Sequence, residues 1–179
     1  MNIERISDAP RSVVNIIRKR KFRTIVEIGV YRSSFCKQVL GEVGHDLDYY
    51  WLIDPWNINN CTDSSGKNFA ESQWEDEYVN ACRMMFDYRC AKVLRMTSVK
   101  SARLFDYKSV DLVYIDGSHE FDDVVEDINT WKRKIRNSGI ISGHDYGSGW
   151  QGVKSAVESC FSLSEIQVHL GTVWSVVIN

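Results

Sequence analysis

Short runs of β-branched and aromatic residues alternate with stretches of helical spacing along most of this chain, and that alternation limits its fold more than any other feature. Thr24–Ile28, Tyr49–Ile53, Cys90–Met96 and Val110–Ile115 read as strands, with Ile140-Ile141 as the core of a fifth. Val13, Val14, Ile16 and Ile17 suit a covering helix over 10–21, and Phe35, Val39, Leu40 and Val43 mark another over Ser34–Val43. Helices are also expected over Glu71–Tyr88 and Ser98–Phe105. Phe121, Val124, Val125, Ile128, Trp131 and Ile135 form the stripe of a helix lying on a sheet, with Asn137-Ser138-Gly139 as its end. Trp150, Val153, Val157 and Phe161 mark the last helix, and Glu165–Leu170 and Val173–Ile178 flank Gly171-Thr172 as a hairpin. A helix between two strands carries the chain back to the end where the first strand began, so the strands run parallel. The reading is an α/β fold: a Rossmann-like three-layer sandwich on a mostly parallel seven-stranded sheet that ends in an antiparallel hairpin.

One domain is expected over 1–179, because no repeat, low-complexity tract or linker breaks the pattern. A chain of this length buries about 70% of its extended surface and needs no covalent staple. The cysteines Cys36, Cys61, Cys82, Cys90 and Cys160 are odd in number and irregular in spacing, with no Cys-x-x-Cys pair, and read as reduced thiols. No long apolar run or signal-peptide core is present, so the expected compartment is the cytoplasm, with no membrane association. The formal charge is -2, and the run Arg18-Lys19-Arg20-Lys21-Phe22-Arg23 reads as the cationic end of a helix rather than a nucleic-acid patch. Trp56–Gly66, rich in Asn, Ser and Asp, is expected to be an exposed, mobile loop.

Chemistry begins at Val26-Glu27-Ile28-Gly29-Val30-Tyr31-Arg32-Ser33-Ser34, a strand, a tight turn and a helix start. A dinucleotide fingerprint needs a second glycine two residues after the first, where backbone approaches a pyrophosphate. That position is Tyr31. A ligand without a pyrophosphate, such as S-adenosylmethionine, can still present its amino-acid end to Glu27, the turn amides and the helix N-terminus.

The fourth strand runs into Ile115-Asp116-Gly117-Ser118-His119-Glu120 and the fifth into His144-Asp145-Tyr146. Together with Val26-Glu27-Ile28-Gly29, these motifs resemble the class I S-adenosylmethionine-dependent methyltransferases, in the group that methylates hydroxyls of small molecules, several with magnesium. The resemblance covers nearly the whole chain. One departure stands out: the family's first motif ends in a glycine where this chain has Ser33, and serine is disfavoured at positive φ. The turn is therefore altered or the ligand fit looser.

The resemblance implies roles at the carboxyl ends of the strands, where open α/β sheets bind ligands. Glu27, Gly29, Tyr31 and Ser33 would serve the methionine half of the cofactor; the alternative is a turn glycine and a surface acid. Asp54 would accept the ribose hydroxyls, or mark only an Asp-Pro turn. Thr97 and Ser98 match the border of the adenine, and Ser98 could instead be an N-cap. Asp116, His144 and Asp145 would hold magnesium or manganese, unless Asp116 serves a metal-free cofactor pocket and Asp145 a helix cap. His119 lies three residues after Asp116, the offset at which catechol-type relatives carry a catalytic lysine, and reads as a general base alongside Asp116 or as a helix-start histidine. The expected function is transfer of a methyl group to a hydroxyl of a small, sugar-like or otherwise polyhydroxylated molecule. The alternatives are a metal-free N- or O-methyltransferase and a cofactor-binding module without catalysis, for which Ser33 is the hint. Oligomeric state is not legible.

Overall fold

The computed structural model describes residues 7–57, 70–147 and 149–179. Most of the expected loop over Trp56–Gly66 lies outside them. Within the described part of that loop Trp56 is fully buried, against the expected exposure. The elements follow the order α1 (Asp8–Arg20), β1 (Thr24–Ile28), α2 (Ser34–Val43), β2 (Tyr49–Asp54), α3 (Glu71–Asp87), β3 (Ala91–Arg95), α4 (Ser98–Ser101), β4 (Val110–Ile115), α5 (Phe121–Trp131), β5 (Ile135–Gly143), α6 (Gln151–Cys160), β6 (Gln167–Val168) and β7 (Trp174–Val177).

The sheet has seven strands in the order β3-β2-β1-β4-β5-β7-β6. Pairs among β3, β2, β1, β4 and β5 are parallel, and β7 pairs antiparallel with both β5 and β6. Period-two alternation divides the strand residues between two cores. Ile25, Tyr50, Leu52, Leu112 and Tyr114 pack beneath α1, α2 and α3, with Val13, Val39, Leu40 and Trp74. Val26, Ile28, Ile53, Val113 and Ile115 face α5 and α6, with Val124, Ile128, Trp131 and Val153. The sheet is thus covered on both faces, as a parallel sheet requires.

Two expectations shift. β5 starts at Ile135, so this residue belongs to the strand and not to the helical stripe. The Asn137-Ser138-Gly139 segment lies within β5, where the register against β4 jumps between Val110 and Leu112 and Ser138 has φ 64°. It is a bulge rather than a helix end. The hairpin exists, but its first strand shrinks to Gln167–Val168, because a turn closed by Glu165 N donating to Ser162 O precedes it and a 3-10 turn at Leu170–Thr172 follows it. The basic run closes α1, with Arg18 paired to Glu42 and Arg23 to Asp48. No helix of the described residues is long and apolar enough to cross a membrane.

Candidate active site

Strand order reverses between β1 and β4, and the turns that leave these strands meet there. Asp116 N donates to Ile28 O at 2.8 Å, and Gly29 N to Ile53 O at 3.0 Å. Gly29 has φ 84°, and a Cβ on it would lie 2.1 Å from the Asp116 carbonyl oxygen. No side chain fits at that crossing. Tyr31 (φ 51°) and Ser33 (φ 61°) continue the turn in left-handed conformations. Ser33 therefore keeps the backbone geometry that glycine favours instead of altering the turn. Its hydroxyl is buried without a hydrogen-bond partner, and no side chain caps the start of α2.

The acids of this turn are enclosed. Glu27 is 1% exposed and accepts a hydrogen bond from the Tyr50 hydroxyl at 2.6 Å. Burial drives its pKa well above the ordinary carboxylate range, against the pull of Tyr50. Asp54, 5% exposed, accepts amides from Tyr31 at 2.9 Å and Trp56 at 2.7 Å. Burial raises its pKa, and these amides oppose the rise. The Val30 amide also bonds to this carboxylate, which leaves it one further acceptor site for a ligand. Thr97 is the N-cap residue of α4. The Ser98 hydroxyl turns toward α5, accepting from Trp131 Nε1 at 2.8 Å and bonding to the Asp127 carboxyl.

Across the switch point, the ends of β4 and β5 bring Asp116, His144 and Asp145 together, with one ligand atom from each within 4.8 Å of the others. His144 Nδ1 lies 3.5 Å from Asp116 Oδ1 and 3.4 Å from Asp145 Oδ1. Hydrogen bonds to Asp116 and Asp145 push the pKa of His144 up to about 10, against a smaller desolvation effect. His119 Nε2 donates to the other oxygen of Asp145 at 2.7 Å. A carboxylate only accepts, so Nε2 carries the proton of this bond and Nδ1 is the ring nitrogen that Asp145 leaves free. The His119 ring also stacks on Trp150, with centroids 4.1 Å apart. Ile115, Val124, Val153 and Trp174 line the floor of this crevice.

The sequence motifs pointed to every carboxylate and histidine of this cluster, but not to their mutual contacts. Tyr50, Asp127 and Trp131 went unnoticed as partners. Asp127 carried a signal: it shares the buried face of α5 with Val124, Ile128 and Trp131, where an acid is out of place without a partner.

The profile of the methyltransferase-domain family matches residues 26–146, from β1 through the His144-Asp145-Tyr146 motif. The chain belongs to that family. Solved structures share its fold. The O-methyltransferase NovP is 15% identical, with a TM-score of 0.65 over 94% of this chain and 77% of that one. The O-methyltransferase TomG of Streptomyces achromogenes, determined in complex with S-adenosylmethionine, is 13% identical, with a TM-score of 0.62 over 96% of this chain and 80% of TomG. Among curated proteins, the uncharacterized protein y4gI of Sinorhizobium fredii is 26% identical over 136 residues, 74% of this chain. The chain spans 14% of the length of that relative. The chain is thus a methyltransferase domain whose fold is shared with solved O-methyltransferases, one of them determined with S-adenosylmethionine bound.

Proposed function

We propose that this methyltransferase transfers a methyl group from S-adenosylmethionine to a hydroxyl of a small, sugar-like or otherwise polyhydroxylated molecule, with magnesium or manganese held by Asp116, His144 and Asp145. The observation that carries this reading is the convergence of those three side chains from two adjacent strand ends, beside His119. Three protein donors leave positions for water and acceptor oxygens, which suits magnesium, and the imidazole admits manganese. When bound, the cofactor supplies an electrophilic methyl group, and the cation supplies positive charge beside the acceptor hydroxyl.

The chain supplies position and proton transfer. Glu27, Gly29, Tyr31 and Ser33 face the amino-acid half of the cofactor, and Asp54 faces the ribose. Thr97 and Ser98 border the adenine, while Asp116 serves both cofactor and cation. The partnerless Ser33 hydroxyl and the uncapped start of α2 support this placement, because a carboxylate there meets one hydroxyl and the first turn of a helix, whose amides have no intrahelical acceptor. His119 Nδ1 takes the acceptor's proton, with Asp145 fixing the ring through Nε2. The oxygen so deprotonated would be the nucleophile toward that methyl group, with the neutral thioether as the leaving group.

One observation favours a metal-free variant of the same reaction. His144 Nδ1 lies between Asp116 and Asp145, 3.5 and 3.4 Å from them, where a protonated imidazole pairs with both carboxylates without an ion. In that variant Asp145 orients His119 and holds no ion. Methyl transfer measured with excess chelator, then with magnesium or manganese restored, separates the two. The metal-assisted reading expects loss and recovery of turnover, and Asp145→Ala without turnover but with unchanged affinity for S-adenosylhomocysteine. Full turnover in chelator selects the metal-free variant. Cofactor binding without transfer to any hydroxyl would leave a cofactor-binding module. His119→Ala is expected to lower the rate about 10²- to 10⁴-fold.

A further inference from the structure

Trp150 sits at the N-cap of α6 and is 39% exposed. One face of its indole lies against His119 at 4.1 Å, with an interplanar angle of 19°. The backbone fixes this stack from both sides. Gly149, at φ 98°, turns the chain just before Trp150. Gly152 brings the first turn of α6 against the β4–α5 connection so closely that a Cβ there would lie 2.3 Å from the His119 carbonyl oxygen. A tryptophan so held covers the proposed base with one face and leaves apolar surface open beside it. That open surface is a favourable place for a ring, since offset stacking adds to the gain from burying apolar area.

The charge around it narrows the choice of ring. Residues 116–123 and the described residues of 144–154 carry Asp116, Glu120, Asp122, Asp123 and Asp145. Against them stand Lys154, whose Nζ lies 3.9 Å from Glu158, and His144 or a divalent ion in its place, so the five acids leave the mouth negative in either case. An anionic acceptor meets repulsion at such a mouth, and a neutral or cationic one does not.

We infer that Trp150 is an acceptor-contacting residue, whose open indole face stacks a flat ring of a neutral or cationic acceptor and so presents a ring hydroxyl to His119. The inference rests on the methyl-transfer reading above. An aromatic diol and the C–H face of a pyranose offer the same flat surface.

The test measures kcat and KM at saturating S-adenosylmethionine for catechol, methyl β-glucoside, 3,4-dihydroxybenzoate and glycerol, together with the Kd of S-adenosylhomocysteine by calorimetry. Transfer to catechol or to the glucoside, with glycerol and the benzoate poorer, supports the inference, and the better of the two rings identifies its source. Trp150→Ala is expected to raise KM for that ring about 5- to 10-fold, with the cofactor Kd unchanged. Trp150→Phe keeps a flat face and is expected to restore most of the loss. Thermal unfolding of each variant separates a lost contact from a lost fold. A folded Trp150→Ala with wild-type KM overturns the inference. So does glycerol used as well as either ring, the benzoate used as well as catechol, or cofactor binding without transfer to any ring. A wild-type protein that binds no S-adenosylhomocysteine overturns the underlying methyl-transfer reading instead.

Discussion

Ser33 carries two local penalties at once, a left-handed backbone and a buried hydroxyl without a partner. Ser33→Gly relieves both, at the cost of a more flexible unfolded chain, and is expected to stabilise the fold by about 1 kcal/mol. Urea denaturation checks this through a higher midpoint at unchanged slope. Asp127 is a second residue under tension. Burial raises its carboxyl to about 6, against the pull of Ser98. Because the folded pKa lies above the unfolded one, the folded state holds the proton more tightly. Its contribution to stability is full below about pH 4 and is lost as pH rises through about 6, a loss of about 2–3 kcal/mol by linkage. Asp127→Asn keeps an acceptor for Ser98 without the charge. It is expected to be more stable than wild type at pH 7 and to lose that advantage by pH 4, as read from denaturation midpoints across the range.

At the scale of elements, the joint between the β1–α2 turn and the end of β4 depends on Gly29. Gly29→Ala forces a Cβ into the Asp116 backbone at positive φ, and is expected to cost about 2 kcal/mol or more. Chemical denaturation reads that cost, and the displacement of Asp116 is expected to weaken cofactor binding in calorimetry. The strands and helices were legible because buried parallel strands are short apolar runs and amphipathic helices show a stripe. β5 was misjudged at its start: Ile135 lies four residues after Trp131 and so continues the stripe of α5. The Asn-Ser-Gly that follows has the composition of a helix end but forms a bulge against β4. The acids and histidines at the strand ends were legible from their motifs. The His119–Asp145 bond was not, because it joins residues 26 positions apart through the adjacency of β4 and β5. Nor was the engagement of Ser98 with Trp131 and Asp127, which depends on how α5 packs beside α4.

Over the whole molecule, the sheet order places two groups of acids on either side of its switch point. Glu27 and Asp54 lie at the ends of β1 and β2, and Asp116 and Asp145 at the ends of β4 and β5. The first group is enclosed and held by Tyr50 and backbone amides, while the second surrounds His144 and holds His119. The account assigns the methyl donor to the first side and the cation and acceptor to the second, so that the two meet at Asp116. The most direct test is a crystal structure of the protein grown with S-adenosylhomocysteine and manganese, with the ion located by its anomalous signal. The account predicts one strong peak within coordination distance of Asp116, His144 and Asp145, and the thioether sulfur on the β1 side of Asp116. Bound S-adenosylhomocysteine with no anomalous peak at those residues, or with the ion elsewhere, would contradict it.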